Sequence, residues 1–230
     1  MNAEGEPQAV AERYARRVQT DRYSLLQPDV WQSVQERQRA MLRIMRGLGW
    51  TDLSALHALE VGCGAGGNLL ELLRLGFAPR HLHGVELLPE RYRQARAVLP
   101  EAVMLYEGDA LQLDLPPQSQ DMVFVSTVFS SLLDAAFQQR LAAAMWSWVK
   151  SGGGVLWYDF LYDNPRNRDV RGMPMSRVRS LFPQGRVLAK RVTLAPPIAR
   201  AVTRVHPSLY PLFNTLPALR THVLCWIAKD

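Results

Sequence analysis

A chain of 230 residues, ordinary in its apolar and charged fractions, fits one soluble domain with a full-sized core, since single cores grow to roughly 250 residues before splitting. No apolar run approaches the ~18 residues that cross a bilayer, residues 1–8 lack the apolar centre of a signal peptide, and two cysteines, Cys63 and Cys225, exclude a secreted disulfide framework; a cytoplasmic location is expected. The formal charge of +6 concentrates mildly in residues 166–191 and 200–204, as a solvated basic face or as a surface for nucleic acid, anionic lipid or an anionic small substrate.

Residues 12–17 and 28–48 read as helices ahead of any strand. In the second, Val30, Val34, Met41, Met45 and Leu48 recur at three-, four- and seven-residue spacings and make one buried stripe. These helices form an N-terminal cap over residues 1–50, and Arg22-Tyr23-Ser24 between them is either a plain connection or a segment folding over a ligand. Next comes Leu59-Glu60-Val61-Gly62-Cys63-Gly64-Ala65-Gly66-Gly67-Asn68, running into a Leu-rich helix that stops at Gly76: strand, glycine turn, helix. Strands are predicted at 82–86, 103–106, 122–126 and 155–160, separated by helices at 90–99 and 135–149, with Ser151-Gly152-Gly153-Gly154 breaking the second helix. Near-continuous apolar strands alternating with helices predict a doubly wound α/β fold with a mostly parallel sheet covered on both faces. The last third predicts a short helix at 176–182 and strands at 187–194 and 221–228. Between those strands, residues 195–219 carry Pro196, Pro197, Pro207, Pro211 and Pro217, which predicts short helices only and reads as a substrate-side lid.

The glycine turn brings main-chain N–H groups at a helix start to where a nucleotide-like ligand can lie against them. Gly62, Gly64 and Gly67 also satisfy the dinucleotide spacing G-x-G-x-x-G, with acidic Glu86 about 20 residues on. Glu60 separates the two readings: a carboxylate there repels a pyrophosphate but suits a ligand bearing an amine and a sulfonium. In this the stretch resembles motif I of the class I S-adenosylmethionine-dependent methyltransferases. The resemblance extends to Gly84-Val85-Glu86-Leu87-Leu88-Pro89, similar to motif II, and to Glu107-Gly108-Asp109-Ala110, similar to the G-D-A motif. It continues through residues 121–126, similar to motif IV, and Val149-Lys150-Ser151-Gly152-Gly153, where Val and Ser replace the Leu and Pro of the family's L-K-P-G-G turn.

That resemblance implies a seven-stranded sheet and S-adenosylmethionine as cofactor. It assigns Glu86 to the ribose hydroxyls and Asp109 with the Ala110 N–H to the adenine. Glu60, Gly62, Cys63, Gly64, Gly66, Leu87 and Ser126 complete the cofactor-binding set, Cys63 as a small spacer, while Tyr14, Arg22 and Tyr23 are candidates for closing over the methionine end. In-line methyl transfer needs positioning first and a base only for some acceptors, so Asp159 and then Tyr158, beyond strand five, are the candidate proton acceptors. The expectation is one domain over residues 1–230, with a cofactor core at 55–160 and C-terminal strands at 161–230 carrying the insertion. Its acceptor is a small organic molecule, lipid- or sugar-linked forms included; Phe182, Tyr210 and Phe213 beside Arg200 and Arg204 would form an apolar lid for it. Nucleic acid is disfavoured, because after strand four the chain reads Ser126-Thr127-Val128-Phe129 rather than an acidic or Asn residue with two prolines. Surface contact with a membrane stays open. His81 and His83 lack a third ligand, so no metal site is expected. The rivals are a nicotinamide-dependent oxidoreductase and a non-catalytic or RNA-binding module.

Overall fold

The computed structural model describes residues 5–16, 21–165 and 167–230. Arg17 and Arg166, drawn into the predicted first helix and basic stretch, lie outside them. Seven strands form one sheet in the order β3-β2-β1-β4-β5-β7-β6. They are β1 (Ala58–Val61), β2 (Leu82–Glu86), β3 (Met104–Glu107), β4 (Gln120–Ser126), β5 (Val149–Phe160), β6 (Arg186–Leu194) and β7 (Arg220–Ala228). β1 to β5 pair in parallel, whereas β7 runs antiparallel to both β5 and β6. Dinucleotide folds use a 3-2-1-4-5-6 order of parallel strands. The reversed β7 between β5 and β6 departs from that order and weighs against the oxidoreductase rival.

Runs such as Val123-Phe124-Val125 and Val155-Leu156-Trp157 are apolar on both sides because both faces are covered. One face packs α2 (Pro28–Gly47), α3 (Gly67–Leu75) and α4 (Pro89–Val98) through Met41, Leu69, Leu72 and Ala95. The other packs α1 (Glu6–Ala15), α5 (Ala135–Trp148) and α6 (Met175–Leu181) through Val10, Leu141, Met145 and Val178. α3 stops where Gly76 adopts φ +115°, a left-handed cap that costs glycine little.

Several expectations are corrected. α1 starts at Glu6, not residue 12: Pro7 suits a first turn, and the buried Arg13–Glu6 pair at 2.6 Å ties that turn to the second. β5 starts at Val149, so the glycines expected to break the chain lie inside the strand. Gly152, at φ +79°, donates its N–H to Lys229 O at 2.7 Å, and a Cβ on Gly154 would stand 2.5 Å from the Trp226 ring. The glycines therefore bend the strand and admit a tryptophan against it.

The insertion 195–219 holds a ten-residue helix, α7 (Pro196–Val205), because its paired prolines occupy the first turn, where no N–H is needed. With α8 (Leu209–Phe213) it packs on α2 and β6. Tyr210 is buried there, its hydroxyl donating to Glu36 Oε2 at 3.0 Å, and the Thr193 N–H donates to the same oxygen at 2.9 Å. Phe182 is not part of the lid: it sits in the opposite core layer against Trp157 and Trp146.

Candidate functional site

Parallel strands direct their carboxyl ends to one rim, and β1, β2 and β3 end there at or beside Glu60, Glu86 and Asp109. The Glu86 carboxylate is already engaged: Gly64 N–H donates to Oε2 at 2.7 Å and Leu88 N–H to Oε1 at 3.0 Å. It thereby holds the glycine turn against β2, as do the Gly62 and Cys63 N–H groups, which both donate to Val85 O. At Gly62, φ is +69° and a Cβ would lie 2.5 Å from a Val128 methyl, so the main chain passes where no side chain fits. Asp109 caps the short helix Ala110–Gln112 by accepting from Leu111 N–H at 3.0 Å. Leu87, Asp109 and Ala110, with Val128, Leu132 and Pro7, line an apolar recess between the turn and α5. Cys63 is buried, and burial raises its thiol far above the ordinary range, which fits a spacer and not a nucleophile.

Glu60 is fully buried. Asn68 Nδ2 donates to its Oε1 at 2.6 Å, while Oε2 has no hydrogen-bond partner among the described residues. Burial pushes its carboxyl up to about 8, partly offset by the Asn68 hydrogen bond and by Arg37. Arg37, from α2, is a cation whose charge acts on Glu60. Its guanidinium donates to Asn68 Oδ1 at 2.7 Å and to Ser126 Oγ at 3.4 Å, lies 3.8 Å from Glu71 and stands 5.1 Å over the Tyr158 ring. Sequence reasoning passed over it, yet its signal was present: Arg37 lies three residues after Val34 and four before Met41, a charge on an otherwise apolar stripe.

Beyond Arg37 the rim changes character. Tyr158 is buried, its hydroxyl 2.8 Å from Thr193 Oγ1 and its ring stacked on His222 with centroids 5.2 Å apart. Burial, then Arg37, pulls His222 down to about 4, so this imidazole is neutral at physiological pH. Asp159 points into the core below: its Oδ2 accepts from Ser130 N–H at 3.0 Å and Oδ1 from Phe160 N–H at 2.9 Å, and burial raises it to about 7. It anchors the loop after β4. Two β-branched residues flank Tyr158 with left-handed backbones, Thr127 at φ +55° and Thr193 at φ +64°, a strained conformation for such residues. Thr127 N–H donates to Tyr158 O at 2.8 Å, so both hold on to the same tyrosine.

Of the residues expected to close over the cofactor, Tyr14 lies on α1 with Arg91 5.0 Å over its ring and its hydroxyl 3.5 Å from Ser131 Oγ. α1 is pinned to the same loop by Glu6, which accepts from Leu133 N–H at 2.7 Å, and by Arg13, which donates to Ser131 O at 3.0 Å. Arg22 and Tyr23 are on an exposed turn, Asp21–Tyr23. Glu36, Arg91, Thr193 and His222 were likewise not singled out.

Residues 58–153 match a protein family described as a methyltransferase domain. A trans-aconitate 2-methyltransferase of Afipia carboxidovorans is 30% identical over 159 residues, covering 69% of this chain and 56% of that protein. An uncharacterized methyltransferase of Geobacillus thermodenitrificans is 30% identical over 108 residues, covering 47% of this chain and 48% of that protein. The chain thus spans about half the length of the curated relatives it matches. Among solved structures, an S-adenosylmethionine-dependent methyltransferase from Mesorhizobium loti superposes with a TM-score of 0.60 at 16% identity, covering 84% of this chain and 96% of that one.

Proposed function

We propose that this chain, whose residues 58–153 match a family described as a methyltransferase domain, is a class I S-adenosylmethionine-dependent methyltransferase that transfers a methyl group from that cofactor to a small organic acceptor. The observation carrying this is the buried Glu60 Oε2, unpaired among the described residues, beside a glycine turn whose backbone tolerates no side chain. A buried carboxylate oxygen without a donor costs free energy, and an ammonium offsets that cost where a pyrophosphate would add to it. The residues fit the cofactor. Glu86 would take the ribose hydroxyls, Asp109 and the Ala110 N–H the adenine edge, Leu87 and Val128 its flat faces, and Glu60 with Arg37 the amine and carboxylate of the methionine end. When bound, S-adenosylmethionine supplies a methyl group on a good leaving group.

On the acceptor side the chain positions more than it reacts. Asp159, committed to Ser130 N–H, holds the loop carrying Thr127 and Val128. Tyr158, braced by Thr193 and sandwiched between Arg37 and His222, forms the wall next to Ser126. His222, its imidazole kept neutral by burial and Arg37, completes that wall by stacking on the Tyr158 ring and not as a base. An acidic acceptor accords with the relative named for trans-aconitate, a carboxylic acid, and with the arginines around this half of the rim.

A thermal-shift comparison tests the cofactor. S-adenosylmethionine at one hundred times its Kd should add about 2.7 kcal/mol of stability and a nicotinamide dinucleotide nothing. The reverse result would overturn the proposal. Methyl-labelled cofactor incubated with fractionated metabolites, lipids, RNA and protein then identifies the acceptor, and label in RNA alone would replace a small acceptor with a nucleic acid.

A further inference from the structure

The acceptor side of the rim carries a surface that methyl transfer does not explain. Exposed aliphatic and aromatic side chains gather in two segments: Leu25, Leu26 and Trp31 at the start of α2, and Val205, Leu212 and Leu216 in the insertion. Leu26 is 92% and Val205 77% exposed. Fold and hydrogen bonds bring the two segments together. β6 ends and β7 begins at the carboxyl rim, so the insertion between them stands above it. Tyr210, two residues before Leu212, is hydrogen-bonded to Glu36, which lies only ~7.5 Å along α2 from Trp31.

The charge of the insertion and its flanks has one sign: from Lys190 to Arg220 the chain carries five lysines and arginines and no aspartate or glutamate, while the other segment holds one acid, Asp29, in the first turn of α2. Arg204 is exposed on α7 next to Val205, on the side of the helix away from its buried residues Ala199 and Thr203. Exposed apolar tips beside cations at one edge of the rim match an interfacial membrane-binding surface. Nucleic acid would draw on the same cations, but it stacks on aromatic faces and makes no use of exposed leucine and valine.

We propose that the insertion and the start of α2 dock on the surface of an anionic phospholipid bilayer, turning the acceptor side of the rim toward the headgroups. Apolar tips enter the acyl boundary while Arg204 and the neighbouring cations meet the lipid phosphates. The docking does not depend on methyl transfer, and its test leaves the cofactor site untouched.

The full chain is floated with vesicles of phosphatidylcholine alone and of phosphatidylcholine mixed with phosphatidylglycerol. Binding to the mixed vesicles and not to the neutral ones is expected, weakened but not abolished by high salt. Leu212→Ser with Leu216→Ser, both exposed, should lower partitioning about tenfold, as expected for two partly inserted leucines, with an unchanged melting temperature. Arg204→Gln should lower it about fivefold. Equal floating with both vesicle types, or none with either, overturns the proposal. So does serine-variant binding equal to the parent's, or complete displacement from the vesicles by a single-stranded RNA oligonucleotide at the same salt.

Discussion

The carboxyl rim is built in two ways. Under β1, β2 and β3 most partners are near in sequence: Glu60 bonds Asn68 of its own glycine turn, Asp109 bonds Leu111, and Glu86 bonds Leu88 as well as Gly64 of the neighbouring turn. Under β4 to β7 the groups in contact come from distant parts of the chain. Arg37 meets Tyr158, Tyr158 meets Thr193 and His222, and Glu36 meets Thr193 and Tyr210. The first half is acidic, with Glu86 and Asp109 held by backbone amides, and the second is aromatic and organised mainly by side chains. A site organised by groups near in sequence is fixed by a short stretch of chain, whereas one assembled from distant side chains depends on the whole fold.

Arg37 joins the two halves, so its removal should have the largest effect. Arg37→Ala leaves Glu71 and Asn68 without their partner in a largely buried setting and should cost about 3 kcal/mol in denaturant unfolding. Adding Glu71→Gln should recover part of that loss; a double variant as unstable as the sum of the two singles would show that the pair does not couple. Next comes Glu86→Ala, which should weaken cofactor binding about thirtyfold, roughly 2 kcal/mol, while the protein stays folded. Unchanged affinity by calorimetry would move the cofactor away from β2. Tyr210→Phe sharpens the contrast from the other side. It removes the hydrogen bond to Glu36 and should cost about 1 kcal/mol of stability with no change in cofactor affinity.

The smallest effect expected is on the dependence of stability on pH. Glu60 at about 8 and Asp159 at about 7 lie above the ordinary carboxyl values of 4.5 and 3.8, so the folded state keeps protons that the unfolded chain releases. Their contribution is complete at acid pH and is lost as pH rises through the folded values. His222, drawn down from 6.5 to about 4, acts in the opposite direction, but only below its ordinary value. Above pH 6.5 the carboxyls act without it. The melting temperature should therefore decline toward pH 8, and Glu60→Gln should flatten the upper part of the decline. A decline unaffected by that substitution would place Glu60 in a wetter setting than its burial indicates.

The acidic half of the rim was legible because its chemistry is local: glycines in a strand-to-helix turn, an acid two residues before them, and an acid ending each neighbouring strand are all visible within a few residues. The insertion at 195–219 was legible in position and not in content. Its prolines looked like interruptions, and only the register at Ala195 shows that two of them begin a helix. The glycines at 152–154 misled for a related reason: their effect on β5 depends on Lys229 and Trp226, more than seventy residues away.

The sequence by itself determined the alternation of strands and helices, the glycine turn and the three rim acids, since hydrophobic period and turn chemistry act over single turns of chain. Tertiary structure alone decided that β7 runs backwards, that the insertion folds onto α2, and that an arginine from the first helical stripe reaches Asn68 and Ser126 while Tyr158 and His222 stack beside it. Those choices rest on the summed burial of side chains far apart along the chain, which no short window contains.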